Sequence, residues 1–127
     1  MICIDIILTN SGELPIYQQI VDQIKASILR GDLSADQPLP SIRVLAKELQ
    51  ISVITTKRAY GELEKDGLIY TLPGKGSFVA EHDDGKLEES KARLVEDKIR
   101  EAIDAAKMMG LTKSELSKIF KSVVEGE

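Results

Sequence analysis

Histidine and cysteine occur once each in this chain, and tryptophan is absent. The single cysteine, Cys3, excludes an intramolecular disulfide and a cysteine-based zinc site. The single histidine, His82, stands in a polar, acidic stretch and reads as a solvated residue rather than a general base. No carboxylate pair, nucleophile elbow or metal-ligand cluster accompanies it, so neither an enzyme, nor a metal, nor a cofactor is expected. Aromatics make up only 4% of residues, so the core must be mostly aliphatic. No apolar run approaches the ~20 residues that a membrane-spanning helix needs. The N-terminal MICIDIILTN lacks the basic start and long apolar centre of a signal peptide, so a cytoplasmic location is the default. Positive charge is also in deficit: the net charge is −4, a mild argument against nucleic acid as partner.

What is present reverses that last argument. The 127 residues, 43% hydrophobic and 30% charged, suit one small soluble domain with an appendage. From Ser41 to Tyr60, Arg43, Lys47, Lys57 and Arg58 are opposed only by Glu48. From His82 onward, nine basic residues are outnumbered by eleven acidic ones. A DNA reader needs a basic contact face, not a basic whole.

The stretch LPSIRVLAKELQISVITTKRAY, Leu39 to Tyr60, organises the chain. Ser41 can cap a helix whose apolar stripe is Ile42, Leu45, Ala46 and Leu49. Gln50-Ile51 makes a short connection, and Ser52 is a second cap. The next helix runs to about Asp66. Thr56, Ala59 and Leu63 face inward, and Thr55, Lys57, Arg58 and Glu62 lie on its other side. The pattern predicts a helix-turn-helix whose second helix can enter a DNA major groove, or else an ordinary helical hairpin.

Before this motif, Ile2 to Leu8 is β-branched and reads as a short strand or packed arm, followed by an Asn10-Ser11-Gly12 turn. Pro15 opens a helix in which Ile16, Ile20, Ile24 and Ile28 recur every four residues, with Tyr17 and Val21 beside them. Arg30 and Gly31 end it. Residues 32–40 read as a loop that the stiff Pro38-Leu39-Pro40 closes.

After the motif, Gly67 stops the helix. Leu68 to Leu72 and Ser77 to Ala80 have strand composition, and Pro73-Gly74 between them signals a type II turn. Three helices followed by a hairpin is a winged-helix arrangement. Lys75 and Gly76 would lie at the wing tip, one supplying charge for phosphate and the other allowing close backbone approach. Gly74-Lys75-Gly76-Ser77 does not make a phosphate loop, because glycine follows the lysine and no helix follows the turn; a bare hairpin turn is the plainer alternative to a wing.

Residues 81–86 read as a polar linker. A long helix from about Leu87 to Met109 carries Leu87, Leu94, Val95, Ile99, Ala102, Ile103 and Ala106. Thr112 and Glu115 form a capping box, with Leu111 and Leu116 as a hydrophobic staple. The last helix then shows Leu116, Ile119, Phe120, Val123 and Val124 at helical spacing. Two helices of about forty residues cannot bury such stripes alone. They pack either onto the winged helix or against a second copy. The second copy is preferred because a two-fold dimer doubles the readout of a palindrome. Leu94, Ile99, Ile103, Leu116, Ile119, Phe120 and Val123 are the expected interface.

From Leu14 to Glu81 the chain resembles the GntR family of bacterial transcription regulators. The resemblance rests on Pro15-Ile16-Tyr17 with Gln19-Ile20, and on Leu39-Pro40-Ser41-Ile42-Arg43 with Leu45-Ala46. It continues through Thr55, Arg58-Ala59-Tyr60, Leu63-Glu64, Gly67-Leu68-Ile69 and Gly74 to Val79. The short tail resembles the YtrA-type subfamily. The resemblance implies that Arg43 reads a base, that Arg58 makes a second DNA contact, that Ser41, Thr55 and Tyr60 hold phosphates or the helix, and that Gly76 enters the minor groove. Lys57 and Lys75 join them as expected DNA contacts. Three departures stand out. Ser52-Val53-Ile54 replaces a small polar run, Thr56 stands where valine is common, and Asp36-Gln37-Pro38 lacks the usual glycine.

The expected architecture is therefore mainly α with a small β-hairpin. Residues 1–12 form an arm or strand and 13–81 a winged helix-turn-helix. Residues 82–86 form a linker and 87–127 an antiparallel two-helix dimerisation unit. The expected function is a homodimeric regulator, a repressor, binding a palindromic double-stranded DNA operator and controlling a neighbouring transporter operon. An unidentified small-molecule effector could enter at the junction of wing, linker and tail or at the dimer seam; control by expression level alone is equally consistent. The alternative is a winged-helix adaptor for proteins, in which the outer face of the second motif helix would carry more apolar residues than Ile54.

Overall fold

Ile20, Ile24 and Ile28 are buried along one side of α1 (Ile16–Leu29), as their four-residue spacing requires. The computed structural model describes residues 5–10 and 14–127, which divide between Asp84 and Gly85 into two units. In the first, α2 (Ile42–Leu49) and α3 (Val53–Lys65) pack with α1 around one aliphatic core. Leu33, Leu39, Leu45, Ala59, Tyr60, Leu63, Leu68, Ile69 and Val79 complete it.

Pro15 stands at the N-cap of α1 rather than inside its first turn. Its extended backbone (ψ 151°) turns the carbonyl toward the Gln18 and Gln19 amides, at 3.1 and 3.2 Å. The expected strand over residues 2–8 and the turn over 10–12 lie partly outside the described residues. The part described, residues 5–10, joins no strand. Its Ile6 and Leu8 rest on the core instead.

β1 (Ile69–Leu72) and β2 (Gly76–Val79) pair antiparallel, with Tyr70 opposite Phe78 and Thr71 opposite Ser77. The Lys75 amide donates to the Leu72 carbonyl at 2.9 Å, and Gly74 has φ +76°. This is the type II turn that Pro73-Gly74 predicts. The residues before α2 are more ordered than a loop. Asp36 N–H bonds to Val79 O, Val79 N–H to Gln37 O, and Leu39 N–H to Ser77 O, at 2.8, 3.0 and 2.9 Å. This segment lies beside β2 through an isolated antiparallel bridge, Pro38 opposite Phe78, outside the two-stranded sheet. Pro38 is tolerated there because the donors come from its neighbours.

In the second unit, α4 (Asp84–Met108) begins three residues before the expected Leu87. The stretch read as a linker, 81–86, is therefore helical from Asp84 onward. Gly110, at φ +73°, ends the helix: its amide bonds to Lys107 O and that of Leu111 to Ala106 O, at 3.1 and 2.9 Å. Thr112 and Glu115 then form the predicted capping box at the start of α5 (Lys113–Gly126). α5 buries no residue, and on its surface with α4 lies an open groove of about 260 Å³ lined by Ile99, Ala102, Ile103, Leu116, Ser117 and Phe120.

Candidate nucleic-acid interface

The helix-turn-helix is built by two serine caps. Ser41 Oγ accepts from the Val44 amide at 3.1 Å and starts α2. Ser52 Oγ accepts from the Thr55 amide at 3.0 Å and starts α3. Between them Gln50 takes the left-handed conformation, with φ +57°, to reverse the chain. Ser52 Oγ also donates to Thr55 Oγ1 at 2.7 Å, so Thr55 is half-buried and tied to the cap. Thr56 is fully buried where an apolar residue would be simplest. Its hydroxyl donates to the Ser52 carbonyl at 3.1 Å, one turn back, so it has a partner and the helix need not shift.

The outer surface of these helices is open. Arg43 is exposed, and Lys47, four residues on, shares its side of α2. On α3, Lys57 and Arg58 are exposed and flank Ile54, which is 81% exposed. Ile54 is not the single apolar residue here: Val44 and Val53 are exposed as well. Aliphatic groups on such a face can meet thymine methyls. Lys75 and Gly76 are exposed at the hairpin end, Gly76 with φ +108°. That backbone conformation is one that L side chains rarely adopt.

Of the two roles expected of Tyr60, phosphate contact and holding the helix, the structure shows the second. Tyr60 is 3% exposed, and its hydroxyl donates to the Pro40 carbonyl at 2.6 Å. Burial, with a smaller contribution from the Glu48 carboxylate, pushes its phenol pKa above the ordinary value. Tyr60 thus acts inside the protein, tying α3 to the residue that precedes the α2 cap. Arg58 makes a contact that its sequence does not announce: its Cζ lies 3.8 Å above the centre of the Tyr17 ring on α1.

Two glutamines were also not legible as structural devices. Gln23 accepts from Ile7 N–H (2.9 Å) and donates to Ile7 O (2.7 Å). Gln19 does the same for Thr9, at 2.9 Å each way, and donates to Leu14 O at 3.0 Å. Four helical residues rise ~6 Å and two extended residues slightly more, so one glutamine meets every second arm residue. Only the Gln-x-x-x-Gln spacing hints at this.

The model for bacterial regulatory proteins of the gntR family matches residues 16–79, the span that holds both the helix-turn-helix and the hairpin. The chain belongs to the GntR family. It is 33% identical over 109 residues to the HTH-type transcriptional repressor YtrA of Bacillus subtilis, covering 86% of this chain and 84% of that protein. Because the match is long enough to extend into the two-helix tail, this GntR chain is of the YtrA type. A GntR family transcriptional regulator from Listeria monocytogenes superposes with a TM-score of 0.72 at 31% identity, over 88% of this chain and 97% of that one. The AraR DNA-binding domain, solved in complex with operator ORX1, superposes with a TM-score of 0.54 at 30% identity, over 61% of this chain and 96% of that one.

This GntR-family chain is a DNA-binding transcriptional regulator with a winged helix-turn-helix, not an enzyme. Among the described residues no group of side chains could hold a metal ion, and no helix is long and apolar enough to cross a membrane.

Proposed function

We propose that the chain is a cytoplasmic repressor that binds a palindromic operator as a homodimer. The observation that carries the reading is the uncovered outer face of α3. Ile54, Lys57 and Arg58 are exposed there while Thr56, Ala59, Tyr60 and Leu63 are buried behind them. A helix capped, braced and left open on its basic side is shaped for a major groove. In this reading Arg43 reads a guanine through its two acceptors, and Lys57, Arg58 and Lys75 meet phosphates or base edges. Ser41 from its capping position, and Thr55 beside the Ser52 cap, reach the DNA backbone, and Gly76 approaches the minor groove.

The second copy is supported by the tail. Ile99, Ile103, Ile119, Phe120 and Val123 are all exposed, and Leu116 is half-buried. Phe120 is 55% exposed on the rim of the α4–α5 groove. Two helices leave this apolar surface open to water, and pairing two copies covers it. Leu94 is half-buried but lies about 100° round the helix from Val95, beside the main stripe rather than on it. It would contribute at the edge of the dimer.

Repression follows the name of the Bacillus relative; control of a neighbouring transporter operon is the finer part of the proposal. Selection of fragmented genomic DNA by the purified chain, followed by sequencing, tests the whole reading. The expected result is an inverted repeat near its own operon, bound by two chains as counted by sedimentation. Recovery of no preferred sequence would leave the adaptor alternative standing.

A further inference from the structure

Arg58 lies over Tyr17 with its Cζ 3.8 Å from the ring centre. A guanidinium standing on edge would hold its carbon one C–N bond farther out, so the group lies nearly flat on the ring. Stacking uses the face of the guanidinium and leaves its in-plane N–H donors pointing outward. No carboxylate pairs with Arg58 among the described residues, although Arg30 and Arg100 pair with carboxylates elsewhere in the chain. Arg58 itself is exposed, whereas Tyr17 is half-buried and packed against the core. The exposed partner therefore rests on a packed one.

We propose that Tyr17 is a positioning residue for DNA recognition: its ring holds the Arg58 guanidinium flat, with its donors free, before DNA arrives. The proposal rests on the reading of α3 as the DNA-contacting helix. An unrestrained arginine would lose side-chain freedom on binding DNA; one already stacked has lost much of it in the free protein. Tyr17 gives this help without touching the DNA. It comes from α1, a helix outside the helix-turn-helix, so it links recognition to the packing of α1 on α3. A carboxylate in the same place would also hold Arg58, but it would occupy the donors and repel phosphate.

The test is a double-mutant cycle on a labelled duplex recovered by the wild-type chain from the genomic selection. Tyr17→Phe keeps the ring and is expected to bind as the wild type does. Tyr17→Leu keeps apolar bulk and is expected to weaken binding about two- to fivefold, the range of an exposed cation–ring contact. In the Arg58→Ala background Tyr17→Leu should cost nothing further. NMR of the free proteins gives the second readout: Arg58 side-chain protons should show a ring-current shift that survives in Tyr17→Phe and vanishes in Tyr17→Leu. Equal affinity of Tyr17→Leu and wild type, or a full additional loss in the Arg58→Ala background, would overturn the positioning role while leaving DNA binding intact. A wild-type chain that selects no duplex overturns the DNA reading, and this role with it.

Discussion

Tyr60 on α3 donates its hydroxyl proton to the Pro40 carbonyl, at 2.6 Å, from a ring that is almost wholly buried. Pro40 immediately precedes Ser41, the cap of α2. One hydrogen bond therefore ties α3 to the start of α2 and holds the angle between them. Tyr60→Phe removes that tie and leaves the carbonyl without its donor. Chemical denaturation should show a loss of about 1–2 kcal/mol. The raised phenol pKa also has a pH signature. Stability from the neutral phenol is fully present below the ordinary tyrosine value and is lost as pH rises toward the folded one. Denaturation above pH 10 should thus show a progressive loss in the wild type that is smaller in Tyr60→Phe.

The glutamine pair on α1 reads the arm's main chain, not its side chains. Ile7 is 76% exposed, so Ile7→Thr should change stability little. Ile7→Pro removes the N–H that Gln23 accepts and should release the arm. Gln23→Ala should speed amide exchange at Ile7 while leaving Thr9, held by Gln19, better protected. Equal exchange at both positions in the two proteins would show that the glutamines do not hold the arm.

Two positions on the motif carry backbone costs in opposite senses. Gln50 sits at φ +57°, where glycine is unstrained, and Gly61 sits mid-helix on α3 with open space around it. Gln50→Gly and Gly61→Ala should each stabilise the chain by about 0.5–1 kcal/mol, measured by denaturation. A loss of stability in either would mean that its side chain, or the lack of one, serves a contact not seen in the free chain.

The start of α5 should respond to acid. The Thr112 amide and hydroxyl donate to the Glu115 carboxylate, each at 3.0 Å, and hold its pKa below the ordinary value. A carboxyl lowered on folding contributes stability above its unfolded value and loses it as pH falls through the folded one. NMR titration of the Glu115 carboxyl carbon should therefore show a late transition, accompanied by fraying at Thr112 to Leu116. Thr112→Ala removes the hydroxyl donor but keeps the backbone amide, so Glu115 should titrate part of the way back toward its ordinary value.

The parts of the fold that depend on spacing or on a single turn residue were legible in the sequence. The isoleucine ladder of α1, the caps Ser41, Ser52 and Thr112, and the Pro73-Gly74 turn are local, and each appears where its chemistry requires. Longer-range partnerships were not. Nothing in the run Asp36 to Leu39 says that it will bond to β2, because that depends on where the chain returns forty residues later. The inward ring of Tyr60 was foreseeable from its place on α3, but its hydroxyl's partner, the Pro40 carbonyl twenty residues back, was not. The Arg58–Tyr17 stack joins residues on two helices that sequence spacing cannot relate. The open surface of α4 and α5 was foreseeable, since two amphipathic helices have too few neighbours to cover them.

The most direct measurement of the central claim is a fluorescence-anisotropy titration of the wild-type chain and Arg43→Ala. Both are titrated with the genomically selected duplex and a scrambled one, over rising salt. The account predicts that wild-type affinity falls steeply with salt, as phosphate contacts require. It predicts that Arg43→Ala loses about 1–3 kcal/mol on the selected duplex but little on the scrambled one. Wild-type binding that ignores salt, or an Arg43→Ala protein that still prefers the selected duplex as strongly as the wild type, would contradict it.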